Sequence, residues 1–136
     1  MATIQPILYV PDVDASLAHY RDVLGFTVDL VVPDGAGRTV HAEVSRHGVT
    51  VMFAPAEGLS PAARSFLGAG VELYITDEDE DIDAYFASVR AAGARIVAEP
   101  VDQEWGHRTF TISDPDGYRL TFAQAVRATE PSGQPR

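Results

Sequence analysis

His41-Ala-Glu-Val-Ser-Arg-His-Gly-Val-Thr-Val-Met-Phe-Ala-Pro55 can be laid over Phe110-Thr-Ile-Ser-Asp-Pro-Asp-Gly-Tyr-Arg-Leu-Thr-Phe-Ala-Gln124 without a gap. Gly48 falls on Gly117, Val51 on Leu120, and Phe53-Ala54 on Phe122-Ala123, at an offset of 69 residues. That is about half the chain, so the sequence reads as one small module written twice. Each copy is two runs of β-branched and aromatic residues around a turn, Arg46-His47-Gly48 in one and Asp114-Pro115-Asp116-Gly117 in the other. The repeat also pairs every candidate site position in one half with a position in the other.

Working outward, the same order of elements appears on both sides. Thr3–Val10 is apolar and β-rich, and Pro11-Asp12 ends it. Val13, Leu17, Tyr20 and Leu24 recur at helical spacing over Asp14–Leu24, with Gly25 as the stop. Strands follow at Phe26–Val32, Thr39–Ser45 and Val49–Ala54. A connector then holds a short helix over Pro61–Leu67, capped by Ser60. The scheme restarts with a strand at Val71–Thr76 and a helix at Asp81–Ala92. Strands at Ala94–Val101, His107–Ser113 and Tyr118–Gln124 complete it. The expected fold is α+β: two βαβββ modules whose mixed sheets curl around a shared pocket, because a sheet with a helix on one face must bury the other. Residues 1–126 form a single domain on this reading, with module one about 3–55, the connector 56–69, module two about 70–125, and 127–136 a flexible tail.

Composition narrows the function. The chain has 136 residues, no cysteine, and 20 acidic against 10 basic residues, a net charge of −10. Disulfides, thiolate metal sites and a cysteine nucleophile are excluded. Nucleic acid is a poor partner for so acidic a chain, whereas a cationic small molecule is attracted. No apolar run is long enough for a membrane span, and a cytoplasmic location is the default expectation. The run Asp77-Glu-Asp-Glu-Asp81 precedes a helical pattern and reads as N-terminal capping; it lacks the glycine and distal Glu of a calcium loop. His19 is expected to face solvent and His47 to serve the turn. Ser16, Ser60 and Ser65 sit in capping or connector contexts, so a Ser-His-Asp hydrolase is not indicated.

Two motifs carry a resemblance. Ile7-Leu-Tyr-Val-Pro-Asp-Val13 followed by Ser16-Leu-Ala-His-Tyr-Arg-Asp-Val-Leu-Gly-Phe26, together with Asp114-Pro-Asp-Gly-Tyr-Arg-Leu120, resembles the vicinal oxygen chelate superfamily. That superfamily includes glyoxalase I, extradiol dioxygenases, fosfomycin-resistance enzymes and bleomycin-resistance proteins. The likeness spans roughly residues 3–125 and describes a scaffold, not a chemistry. Its catalytic members hold a divalent metal in the pocket with His, Gln or Glu from the first and last strands of each module. Transferred one at a time, those positions are Gln5, Gly70, Met52 and Thr121 here. Only Gln5 offers a metal donor, so the resemblance implies no metal and no cofactor. Glu43 and His41 lie on the third strand of module one, and a displaced site from Gln5, Glu72 and His107 is the fallback.

Period-two alternation assigns faces. Ile4, Leu8 and Val10 would face the helix, and Gln5, Ile7 and Tyr9 the pocket; Val71, Leu73 and Ile75 the helix, and Glu72 and Tyr74 the pocket. Phe110 and Ile112 face the helix, leaving Thr109 and Thr111 inward with Met52, Ala54, Thr121 and Ala123. Trp105, the single tryptophan, stands in the polar loop Gln103-Glu-Trp-Gly-His-Arg108 and suits a stacking platform for a flat or cationic ligand. This segment resembles that of the bleomycin-resistance proteins, which sequester a cationic antibiotic. The expected function is metal-independent binding of a hydrophobic or cationic drug-like molecule. Gln5, Ile7, Tyr9, Met52, Glu72, Tyr74, Trp105, His107, Thr109 and Thr121 would contact it. The alternative is a metal-dependent lyase, isomerase or dioxygenase with displaced ligands. A homodimer is expected because relatives form one.

Overall fold

A computed structural model describes residues 1–126. The flexible tail expected over 127–136 lies outside the described residues. The chain folds as β1 (Ile7–Val10), α1 (Val13–Asp22), β2 (Thr27–Pro33), β3 (Thr39–Arg46), β4 (Val49–Pro55), α2 (Pro61–Arg64), β5 (Glu72–Thr76), α3 (Ile82–Ala91), β6 (Arg95–Asp102), β7 (His107–Ser113) and β8 (Arg119–Ala125). Two four-stranded sheets result, in the order β1-β4-β3-β2 and β5-β8-β7-β6. The first and last strands of each module pair in parallel, and the rest run antiparallel. The two-module α+β architecture read from the repeat therefore holds, although the sheets do not close on each other.

Local chemistry starts each long helix. Asp12 accepts a hydrogen bond from the Ala15 N–H at 3.1 Å, and Asp81 accepts one from Ala84 at 3.0 Å. The second of these is the capping expected of the acidic run. Each helix then lays its apolar stripe on one face of its own sheet. Leu17, Tyr20 and Leu24 meet Val44, Val51 and Phe53, while Tyr85 and Val89 meet Phe110, Leu120 and Phe122, all within one continuous core. Aromatic edges fill it: Tyr20 stands 4.9 Å from Phe53 and Tyr85 5.0 Å from Phe122, both edge to face.

The modules join by a reciprocal arrangement. The β7–β8 turn of module two docks on α1, and the β3–β4 turn of module one docks on α3. Asp114, 1% exposed, accepts the Tyr20 hydroxyl at 2.8 Å and the N–H groups of Asp116 and Tyr118 at 2.9 Å each. Burial first, and the Asp114 carboxylate next, hold the Tyr20 hydroxyl well above its ordinary pKa. Ser16 donates to Asp116, and Tyr118 donates to the Tyr9 carbonyl at 2.7 Å. On the other side Arg46 lies 3.6 Å over the Tyr85 ring and bonds Asp77 and Glu80. The Tyr85 hydroxyl in turn donates to the Leu24 carbonyl at 2.6 Å.

Four expectations need correction. β1 begins at Ile7, not Thr3, because Pro6 has no N–H to continue a ladder; Ile4 is accordingly 94% exposed and does not face α1. Val71 lies outside β5 and is exposed, so only Leu73 and Ile75 turn toward the core. The connector helix ends at Arg64 rather than Leu67. His19 is half-buried, not open to solvent throughout: its Nε2 is buried without a hydrogen-bond partner. Loss of hydration there lowers the pKa of its imidazole, against the pull of nearby Asp114.

Candidate functional site

Each sheet has a second face that no helix covers. On the first sheet Ile7, Met52, Glu43 and Leu30 form one row across β1, β4, β3 and β2, and Tyr9 lies beside Ala54. Ile7, Tyr9 and Leu30 remain substantially exposed. His41 Nε2 stands 3.0 Å from Glu43 Oε2 on this face. On the second sheet Tyr74, Thr121, Thr111 and Ala98 form the matching row, and Glu72, Arg119 and Ser113 the row beside it.

The expected residues divide among three places. Gln5, Glu72 and Tyr74 line a groove of about 690 Å³ between the two sheets, together with Thr50 and Thr76. Ile7, Tyr9 and Met52 belong to the open face of sheet one. Glu72, Tyr74, Trp105, His107, Thr109 and Thr121 lie on sheet two or its β6–β7 loop, in three separate groups of hydrogen bonds. Thr121 is 4% exposed and bonds both Glu72 Oε2 and Thr111 Oγ1, the latter at 2.7 Å. Tyr74 OH lies 2.5 Å from His107 Nδ1, and the two rings stack with centroids 5.7 Å apart. The Trp105 indole N–H donates to the same Tyr74 oxygen at 3.1 Å. Trp105 is 62% exposed, so its polar edge is pinned while its ring face stays open.

Sequence reasoning missed Gln103, whose amide donates to Thr109 Oγ1 at 3.0 Å and ties the Trp105 loop to β7. It also passed over Arg119, which shares a row with Glu72. Parity along β8 from Thr121 would have placed Arg119 on the open face. The Gln103 contact carries no such periodic signal.

The donors at the positions where the resemblance places metal ligands do not suit a divalent ion. Gly70 has no side chain and precedes β5, Met52 offers only a thioether, and the Thr121 hydroxyl is committed to Glu72 and Thr111. In the fallback set, one Glu72 oxygen is engaged by Thr121 and His107 Nδ1 by Tyr74, and His107 is not among the residues that line the groove with Gln5 and Glu72. Among the described residues, His47, Asp77 and Asp79 are the one group of three or more His and carboxylate ligands whose donor atoms lie within 4.8 Å of one another. That group belongs to the module junction. His47 occupies its turn with φ of 50° and reaches Asp77 Oδ2 at 2.7 Å, the oxygen that Arg46 also bonds. Burial pushes the Asp77 carboxyl up, but bonds from the Asp79 N–H, His47 and Arg46 outweigh it and hold it low. A guanidinium already neutralises the site.

Comparison with known proteins agrees with this architecture. The chain is 30% identical over 129 residues to Uncharacterized protein Rv0887c of Mycobacterium tuberculosis, covering 91% of this chain and 75% of that one. The crystal structure of TioX from Micromonospora sp. ML1 superposes with a TM-score of 0.71 at 26% identity, covering 93% of this chain and 100% of that one. TnmS3 from Streptomyces sp. CB03234, described as an antibiotic binding protein, superposes with a TM-score of 0.71 at 23% identity, over 92% of this chain and 97% of that one. That last likeness speaks for the fold alone. The sequence model of the Glyoxalase/Bleomycin resistance protein/Dioxygenase superfamily matches residues 3–122, and the chain belongs to that superfamily.

Proposed function

We propose that this protein binds a hydrophobic or cationic small molecule without using a metal ion, and that it does so as a homodimer in the cytoplasm. The observation that carries the reading is the aromatic cluster of Tyr74, Trp105 and His107 on a sheet face that no helix covers and that also carries Glu72. An exposed indole face is what a flat cation stacks on, and a carboxylate on the same sheet face adds to the attraction. Three further points support it. The metal-ligand positions carry Gly70, Met52 and Thr121; the net charge is −10; and a fold neighbour, TnmS3, is an antibiotic binding protein. The dimer rests on the apolar side chains left open on both sheets, Ile7, Tyr9 and Tyr74 among them, which a second copy would cover.

The test is calorimetric titration of metal-stripped protein with flat cationic antibiotics, bleomycin included, and with neutral aromatic counterparts. Saturable binding of a cation is expected. Trp105→Ala should weaken it by about 1 kcal/mol or more. Glu72→Gln should weaken cations and leave neutral ligands unchanged. Absence of saturable binding across the panel, or full affinity in both variants, would contradict the reading.

A further inference from the structure

The geometry points to His107 as a specificity-determining residue of this face: its Nε2–H is held outward as a hydrogen-bond donor, and the ligand ring that stacks on Trp105 carries a carbonyl oxygen to accept it. This rests on the binding function proposed above and adds the polarity of the ligand.

The argument is one of donor direction. An indole nitrogen can only donate, so the Tyr74 oxygen, 3.1 Å from Trp105 Nε1, is the acceptor there. Tyr74 has one proton of its own. Among the described residues the only other bonding partner of its hydroxyl is His107 Nδ1, at 2.5 Å. Of the two neutral groups the phenol is the stronger acid, which favours its proton in the Tyr74–His107 bond, and an imidazole nitrogen that accepts carries no hydrogen. In that arrangement the neutral ring carries its hydrogen on Nε2. That nitrogen bonds no other described residue. The three groups form a chain with one sense, Trp105 to Tyr74 to His107, in which each bond polarises the next.

The parts are rigidly placed. Tyr74 and His107 stand on β5 and β7, the two strands that flank β8, and their rings are stacked at 28°. The Trp105 loop is closed at both ends, with the Gln103 N–H on the His107 carbonyl at 2.7 Å and the Gly106 N–H on Gln103 at 3.2 Å. The donor is thus set before a ligand arrives, which reduces the ordering cost of binding.

A second chain has the opposite outcome. Glu72 as a carboxylate only accepts, so Thr121 donates to it and Thr111 donates to Thr121. Glu72 Oε1 is left as an acceptor. The face offers a donor at His107, level with Ala125, and an acceptor at Glu72, level with Arg119 six residues away along β8; the donor calls for a carbonyl on the ligand ring.

Two readouts test this. The first is the ring ¹⁵N chemical shifts of His107 at neutral pH, which separate a bare nitrogen from a protonated one. A bare Nδ1 and a protonated Nε2 are expected, with a mixture of tautomers in Tyr74→Phe. The second is the affinity of a pair of probes, 3-(3-aminopropyl)-1-methylquinolin-2-one and 3-(naphthalen-2-yl)propan-1-amine, which share a flat fused ring and the amine; only the first has a ring acceptor, its carbonyl oxygen. Wild type should prefer the quinolinone by about fivefold to tenfold, and His107→Phe, which keeps the aromatic stack, should lose the preference. A protonated Nδ1, or equal affinity for the two probes, overturns the proposal and leaves the binding function standing. If neither probe binds at all, the binding function of this face falls and the proposal falls with it.

Discussion

Gly68→Ala is expected to leave the protein largely unfolded. An added Cβ at Gly68 would stand 2.3 Å from the Gly117 carbonyl oxygen, 2.6 Å from its carbonyl carbon and 2.9 Å from the Tyr118 nitrogen. All three are backbone atoms, so no side chain can swing aside. Gly68 also has φ of 83°, where an L-residue is strained. Strain and overpacking together should cost at least ~3 kcal/mol. That is a large share of the ~5–15 kcal/mol of a typical domain. The contact is mutual, since a Cβ on Gly117 would lie 2.9 Å from the Leu67 carbonyl oxygen. Urea unfolding followed by circular dichroism measures the effect. Gly58→Ala is the control, because a Cβ there meets nothing within 4 Å; it should shift stability by less than ~0.5 kcal/mol. Equal stability of the two variants would mean that the connector does not pack on the Asp114–Gly117 turn.

Asp114→Ala is the second large effect. The carboxylate gathers the Tyr20 hydroxyl and two backbone N–H groups in a site with 1% exposure. Alanine leaves three donors buried without an acceptor, and such losses cost about 3–5 kcal/mol when the removed partner is a charge. Asp114→Asn keeps one acceptor oxygen for the turn and should cost less, about 1–3 kcal/mol. Tyr20→Phe removes only one donor. A double-mutant cycle between Asp114→Asn and Tyr20→Phe should give a clear coupling, because the two groups touch at 2.8 Å. Additive losses would mean that the turn does not dock on α1 through this bond.

These two sites also mark what the sequence makes legible. The Asp-Pro-Asp-Gly turn, the caps at Asp12 and Asp81, and the strand–turn–strand repeat are local chemistry, written within a few residues. Period-two alternation likewise put Tyr74, Thr121 and Thr111 on one face. Docking is different: Tyr20 meets Asp114 across 94 residues and Ser16 meets Asp116 across 100, and no periodicity spans such a distance. His19 is less open than α1 alone implies for the same reason, since Asp114 and Arg95 of the second module come close enough to act on its charge. Ile4 failed through Pro6, whose missing N–H stops the ladder that alternation assumes. Acidity proved mixed in meaning. Asp77 and Glu80 hold Arg46, and Asp81 caps α3, so part of the net charge serves the module junction and not a ligand. The direction of the Trp105–Tyr74–His107 chain needed three-dimensional proximity, because Tyr74 and His107 lie 33 residues apart.

The central claim is that the pocket works without a metal. Thermal unfolding of metal-stripped protein, run alone, with Ni²⁺, Zn²⁺, Mn²⁺ or Fe²⁺, and with a flat cationic ligand, tests it most directly alongside elemental analysis of untreated protein. The expected result is no stoichiometric metal, no shift with any ion, and a gain of roughly 2.7 kcal/mol with the organic ligand at 100 times its Kd. A stoichiometric metal together with a clear metal-induced shift would contradict it, and would place a metal-dependent reaction at ligands other than Gln5, Gly70, Met52 and Thr121.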